Sequence, residues 1–190
     1  MRARLSLALA CGALLYAASA RAQEMALPVD FQVSLFARVL HFDRNLDAGE
    51  GEIVVGVLFQ EGFRESSRAK DQFISTMAED LRNSALGRPV RVVPLALGGA
   101  ELPRELWPTD IDVLYVAPLR AYSLRAITDA SRERGILTVT GVPQYVSEGI
   151  SLGLDVEAGR TRILVNRAAS IAEGADLSAE LLKLARIVDR

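Results

Sequence analysis

Cysteine is nearly absent from this chain: one residue, Cys11, occurs in 190, and histidine is also represented once, by His41. Thiolate zinc sites and iron–sulfur clusters need more cysteines than this, and a thiol nucleophile has only Cys11 to draw on. A zinc or copper site built on one histidine would have to rely on carboxylates, so no metal or cofactor is expected. Long apolar runs are missing too. The uncharged stretch from Leu5 to Ala20 is shorter than the about 20 residues that span a bilayer. No glycine-rich phosphate loop stands between a strand and a helix, because Gly56 falls inside a β-rich run and Gly62 stands alone after it. Nor is there an excess of basic charge, since 22 Lys and Arg face 24 Asp and Glu. Nucleic acid is therefore not expected as a partner.

What is present begins with Arg2 and Arg4, an apolar stretch, and the small-residue triplets Ala18-Ser19-Ala20 and Ala20-Arg21-Ala22. That order is the pattern of a secretory signal peptide, expected over residues 1–22 with the new N-terminus near Gln23. A lipoprotein cut before Cys11 would leave too short an apolar region. Cleavage removes three of the 22 basic side chains and none of the 24 acidic ones, moving the formal charge from −2 to −5. It also removes the only cysteine, so the mature protein is expected to form no disulfide and not to insert into the membrane. A chain of this size can build an adequate core without one.

Length predicts one domain, over residues 28–190. Pro28 to Phe42 reads as a helix with a narrow polar stripe of Asp30, Ser34, Arg38 and His41, and with Phe31, Phe36 and Phe42 among its apolar residues. Ile53 to Phe59 is a continuous apolar run, the signature of an interior strand covered on both faces. Ser66 and Ser67 are expected to cap the next helix, with Phe73, Ile74, Met77 and Leu81 on one face and Gly87 beyond its end. Strands follow at Val90–Leu95, Asp112–Pro118 and Ile136–Thr140, with an irregular stretch from Gly98 to Thr109 and a helix from Ser123 to Arg134 ended by Gly135. Ile150 to Val156 and Thr161 to Val165 alternate around Ala158-Gly159 as a hairpin. Leu177, Leu181, Leu184 and Val188 share one face of a closing helix. The expected fold is a single α/β domain: a mixed, mostly parallel sheet flanked by helices, with a C-terminal β-hairpin and a final helix.

One catalytic pattern stands out. Gly149-Ile150-Ser151-Leu152-Gly153 fits the nucleophile elbow of α/β-hydrolases. An elbow needs a sharp strand-to-helix turn, whereas Ser151 stands in a period-two alternation, and His41 precedes the serine where that fold places histidine after it. The protein is not expected to be an enzyme, and Ser151→Ala is expected to leave its output intact. Binding is a better prospect at Gly141-Val-Pro-Gln-Tyr145, after the fourth strand, because parallel sheets bind ligands at the carboxyl ends of their strands. Gly141, Pro143 and Tyr145, with Arg38 and His41 of the first helix and Asn166 at the end of the hairpin, are the candidate ligand or partner surface.

Residues 136–188, from Ile136-Leu-Thr-Val-Thr-Gly-Val-Pro through Gly149–Leu154 and Arg162–Asn166 to Ser178–Val188, resemble the C-terminal half of YfiR-family proteins. Phe36-Ala37-Arg38 with Phe42 is similar to that family's opening helix, and Ile53–Val57 to its first strand. Members often carry a Cys-His pair at the start of the third strand, where this chain has Ile111-Asp112-Val113-Leu114. Redox sensing through disulfides is therefore not carried over. The resemblance implies a periplasmic regulator that binds the periplasmic sensor domain of a membrane-bound diguanylate cyclase and lowers cyclic-di-GMP output, with a homodimer as a further partner to test. The alternative is a periplasmic small-molecule binding module using the Gly141–Tyr145 crevice.

Overall fold

The computed structural model describes residues 24–80, 87–98 and 107–188. The expected signal segment with Cys11, residue Leu81, and positions 99–106 of the irregular stretch lie outside them. The first helix, α1 (Val29–Val39), continues through a 3-10 turn at Leu40–Phe42 into a short helix α2 (Arg44–Asp47), whose Asn45 amide is capped by the Asp43 side chain. Strand β1 (Ile53–Gln60) leads to α3 (Arg64–Asp80) and β2 (Val90–Leu97). Then come β3 (Val113–Val116), α4 (Leu124–Arg134), β4 (Leu137–Thr140) and α5 (Pro143–Ser147). The chain closes with β5 (Leu152–Glu157), β6 (Arg160–Val165), α6 (Arg167–Ala172), α7 (Ala179–Leu184) and β7 (Arg186–Ile187).

The strands form one seven-stranded sheet in the order β2-β1-β3-β4-β5-β6-β7. Pairs from β2 to β5 are parallel, β5 and β6 form the antiparallel hairpin, and β7 returns parallel to β6. Period-two alternation divides the interior into two cores. Val55, Val57, Val113, Tyr115 and Val139 face α1, α3 and Leu181 of α7, whereas Val54, Leu58, Leu114 and Val116 face Leu124, Ile127 and Ala130 of α4. Gly135, at φ 66°, ends α4 in the left-handed conformation that glycine adopts without strain. At the outer strands the chain is plainly edged: Pro94 stands within β2, and β7 has two residues, of which Arg186 pairs with Glu157.

Three local expectations are corrected. Phe31, counted with the apolar residues of α1, is 49% exposed, while Gln32 is fully buried alongside Val29 and Val33. The Gln32 amide is satisfied inside, donating to Leu27 O at 2.6 Å and accepting from the Tyr115 hydroxyl at 3.0 Å. Ser66 does not cap α3, which begins two residues earlier; its hydroxyl accepts the Gln60 amide at 2.8 Å and ties the helix to β1. The closing helix stops at Leu184, which is 64% exposed, because Leu164 and Val165 of the hairpin recruit Arg186 and Ile187 as a strand.

Candidate functional site

The carboxyl ends of β3 and β4 are filled from within. Gly141 accepts a hydrogen bond from Ala26 N, and a Cβ built on it would fall 2.0 Å from Gln32 Oε1. Tyr145 is 3% exposed; its hydroxyl accepts from Leu119 N at 2.8 Å and donates to Leu119 O at 3.2 Å, clamping the loop after β3. Burial pushes the Tyr115 phenol upward, so it stays a neutral donor to Gln32. Pro143 opens α5 at its first helical position, where its missing amide costs nothing. Arg38 is exposed on α1, and His41 is half-buried with Nδ1 3.4 Å from Asp47. The structure joins α1 to Gly141 through Gln32, a residue the sequence did not single out.

An open space lies on the other side of α5. A cleft of about 390 Å³ is bounded by Arg132 of α4, the Ser147-Glu148-Gly149 turn, and Asn166, Ala168, Ala169 and Ala172 of α6. Gly149 has φ 111°, which an L side chain rarely adopts, and a Cβ there would stand 3.0 Å from an Arg132 nitrogen. The glycine thus lets the turn form and lets the guanidinium lie down over it. Arg132 is held only loosely, 3.9 Å from Asp129 one turn back. Asn166, the one predicted residue in this cleft, is consumed by structure: its Oδ1 caps α6 through Ala169 N at 3.0 Å, and its Nδ2 donates to Val146 O at 2.9 Å.

Behind the cleft the elbow-like motif is explained residue by residue. Gly153 leaves room for Val146, whose methyl would lie 2.3 Å from an added Cβ. Ser151, immediately before β5, is fully buried and donates to Glu173 Oε2 at 2.5 Å. Glu173, 1% exposed at the end of α6, also receives Thr138 N at 2.9 Å, the Thr138 hydroxyl at 2.8 Å and the Ser131 hydroxyl at 2.8 Å. Burial pushes this carboxyl above the ordinary glutamate value, against the lowering effect of those four bonds. Ser151 therefore has an acid beside it but no histidine and no path to solvent. Asp43 and Asp112 share a 170 Å³ cavity with Glu173, yet among the described residues no three metal-ligating side chains converge. Nor is any described helix long and apolar enough to cross a membrane.

The sequence missed Arg132 and Glu173. A sign of the second was available, since Thr138, Ser131 and Ser151 fall on core positions and buried hydroxyls demand a partner.

Among solved structures, the chain is similar to an ABC domain in complex with L-Trp from Streptococcus pneumonia, with 11% identity and a TM-score of 0.60 over 84% of this chain and 61% of that one. It is also similar to a conserved domain protein from Vibrio cholerae, at 14% identity and TM-score 0.60 over 86% and 60% of the respective chains. A third is the ligand-free, open structure of a substrate-binding protein with adhesive properties from Clostridium difficile, at 15% identity and TM-score 0.55 over 86% and 60%. These likenesses show a shared α/β fold, and the chain spans about three fifths of the length of each. No curated protein matches in sequence. A family model described as YfiR/HmsC-like matches residues 61–186, from the loop after β1 into β7 and well over half of the chain. The chain belongs to the YfiR/HmsC-like family.

Proposed function

We propose that this is an exported periplasmic regulator, residues 1–22 being its signal peptide and 28–190 its folded domain, that restrains a membrane-bound diguanylate cyclase by binding its periplasmic sensor domain. The observation that carries the reading is the α4–α6 cleft in a chain of this family. It offers a loosely held cation, Arg132, above a floor of Ala168, Ala169 and Ala172. Such a floor lets a partner backbone come close, and a guanidinium suits a carboxylate through paired hydrogen bonds. The proposed occupant is a segment of the sensor domain presenting an Asp or Glu side chain. Regulation then requires only that this surface bind the low-output state of the cyclase better than the other.

Arg132→Glu is the test. The side chain is 37% exposed and only loosely paired with Asp129, so the melting temperature is expected to stay within about 2 °C of wild type. Cellular cyclic-di-GMP and biofilm formation are expected to rise to the level of a gene deletion in a strain carrying the partner cyclase. Wild-type cyclic-di-GMP with Arg132→Glu would remove the cleft from the interface. Unchanged cyclic-di-GMP after deletion would remove the regulatory reading itself.

A second reading, a small-molecule binding module, draws on the neighbours described as a substrate-binding protein and as a complex with L-Trp. The cleft volume of about 390 Å³ falls in the range of ligand pockets. Against it, Arg132, Glu148, Ala168 and Ala172 are all exposed, so the walls are those of a shallow docking surface rather than an enclosing pocket.

Export is testable directly: the N-terminal sequence of protein from the periplasmic fraction is expected to start near Gln23. Full-length protein in the cytosol would contradict it.

A further inference from the structure

We infer that the arm formed by the β5–β6 hairpin takes an extended acidic segment of a partner protein as an added strand, along the free edge of β6 from Arg160 to Ile163. This surface is separate from the α4–α6 cleft and stands or falls without it.

The register of the hairpin fixes which backbone groups point outward. Ala158 and Gly159 form its two-residue turn, both at positive φ, so Glu157 and Arg160 make the first hydrogen-bonded pair. Bonded and non-bonded pairs alternate along an antiparallel ladder. Arg162 and Leu164 therefore also bond to β5, while Thr161, Ile163 and Val165 turn their backbone groups the other way. Two observations agree with this. On the outer side Val165 O accepts Val188 N at 2.8 Å, and on the opposite edge of the arm Val156, which pairs with Thr161, donates its amide to Asp155 Oδ1 at 2.7 Å. The β6 edge has no such cap. Strand β7 reaches only Leu164 and Val165, and nothing among the described residues pairs with the Thr161 amide and carbonyl or with the Ile163 amide. The arm also projects from the sheet, since β4 pairs with β5 only at Leu152 and Gly153.

Side chains decide the occupant. Arg160, Arg162 and Arg186 share one face of the arm with Asp155 and Glu157, and Glu157 already serves both Arg162, at 3.6 Å, and Arg186. Arg160 is exposed and meets no carboxylate among the described residues. The edge is thus locally basic in a chain whose formal charge is −2. The other face is apolar: Val156 is 41% exposed, Ile187 is 36% exposed, and Ile163 is half-buried. A strand that alternates acidic with apolar residues meets both faces in register. A second copy of this chain does not. Outward-facing residues must pair with outward-facing ones, so the two-fold pairings of β6 with itself that stay clear of β7 set Arg160 opposite Arg162, or an arginine opposite its own copy.

The test is amide hydrogen exchange on the isotopically labelled chain with the synthetic peptide acetyl-Val-Glu-Val-Glu-Val-amide. At millimolar peptide, exchange at Thr161 and Ile163 is expected to slow by about threefold or more, while Arg160 and Arg162, already bonded to β5, change little. The same peptide N-methylated at every residue keeps its charge but has no ladder donors, and it is expected to protect neither amide. Lysine in place of glutamate is expected to have the same result. Thr161→Pro removes an outward amide where an edge strand tolerates proline, and it is expected to abolish the protection of Ile163. Equal protection by the N-methylated or the lysine peptide would overturn the proposal, and so would no protection by the glutamate peptide. Should Thr161→Pro fail to fold, the three peptides decide the matter on wild type alone. Protection of Thr161 that grows with protein concentration and needs no peptide would give the edge to a second copy, against the inference.

Discussion

Leu181→Asp is expected to cost about 5 kcal/mol or more, enough to unfold the C-terminal part of the domain. Leu181 is fully buried in the core that α1 and α3 share with the sheet, and it sits in the first turn of a helix capped by the Ser178 hydroxyl, which accepts its amide at 3.3 Å. Truncating a buried leucine costs about 2–5 kcal/mol, and the introduced carboxylate has no partner there to offset its desolvation. Against a total stability of about 5–15 kcal/mol, the loss is decisive. The measurement is the urea midpoint, accompanied by cyclic-di-GMP at the deletion level. Leu184→Asp is the control. That residue is 64% exposed, so its substitution is expected to change stability by less than about 0.5 kcal/mol. A folded Leu181→Asp with a wild-type midpoint would show that α7 is not part of the core.

Gly141→Ala is expected to cost about 2–4 kcal/mol although it adds a single methyl group. The new Cβ would fall 2.0 Å from Gln32 Oε1 and 2.4 Å from its Cδ and Nε2. A surface glutamine would swing aside at little cost. This one is fully buried and held at both ends of its amide, by Leu27 O and by the Tyr115 hydroxyl. Displacing it strands that hydroxyl in a dry core. The diagnostic is a double-mutant cycle by chemical denaturation: Gln32→Ala in the Gly141→Ala background removes the clash, so the pair is expected to cost less than the sum of the singles. Strict additivity would mean that the two residues do not meet.

Legibility of the fold followed the physical range of each cue. Ile53 to Phe59 announced a strand covered on both faces because burial on two sides leaves no polar alternation, and the two cores on either side of β1 bear this out. Gly135 ended its helix as glycine's backbone freedom predicts. The failures came where a distant partner decided. The period of Leu177, Leu181 and Leu184 continues helical to Val188, yet Val165 O takes the Val188 amide at 2.8 Å and draws the chain into the sheet. Gln32 drew no notice in the sequence, because its buried partner, the Tyr115 hydroxyl, lies far along the chain. At the site, the rule that ligands gather at strand ends pointed to Gly141 and Tyr145, but it does not say whether a side chain already occupies that place. Asn166 was found as the end of a hairpin, while Arg132 on a charged helix looks like any solvated residue until Gly149 is seen beneath it.

The borders of the sheet bear on how the chain avoids misassembly. An open strand is a template on which another chain can grow. Here one border holds Pro94, which has no amide hydrogen to lend. The other is two residues long and pinned by Arg186 to Glu157. Pro94 interrupts the first border as a template for fibrils or for an added strand, whereas on the second β7 covers only Leu164 and Val165 of β6 among the described residues. Misassembly on the β2 side is thereby discouraged without a disulfide.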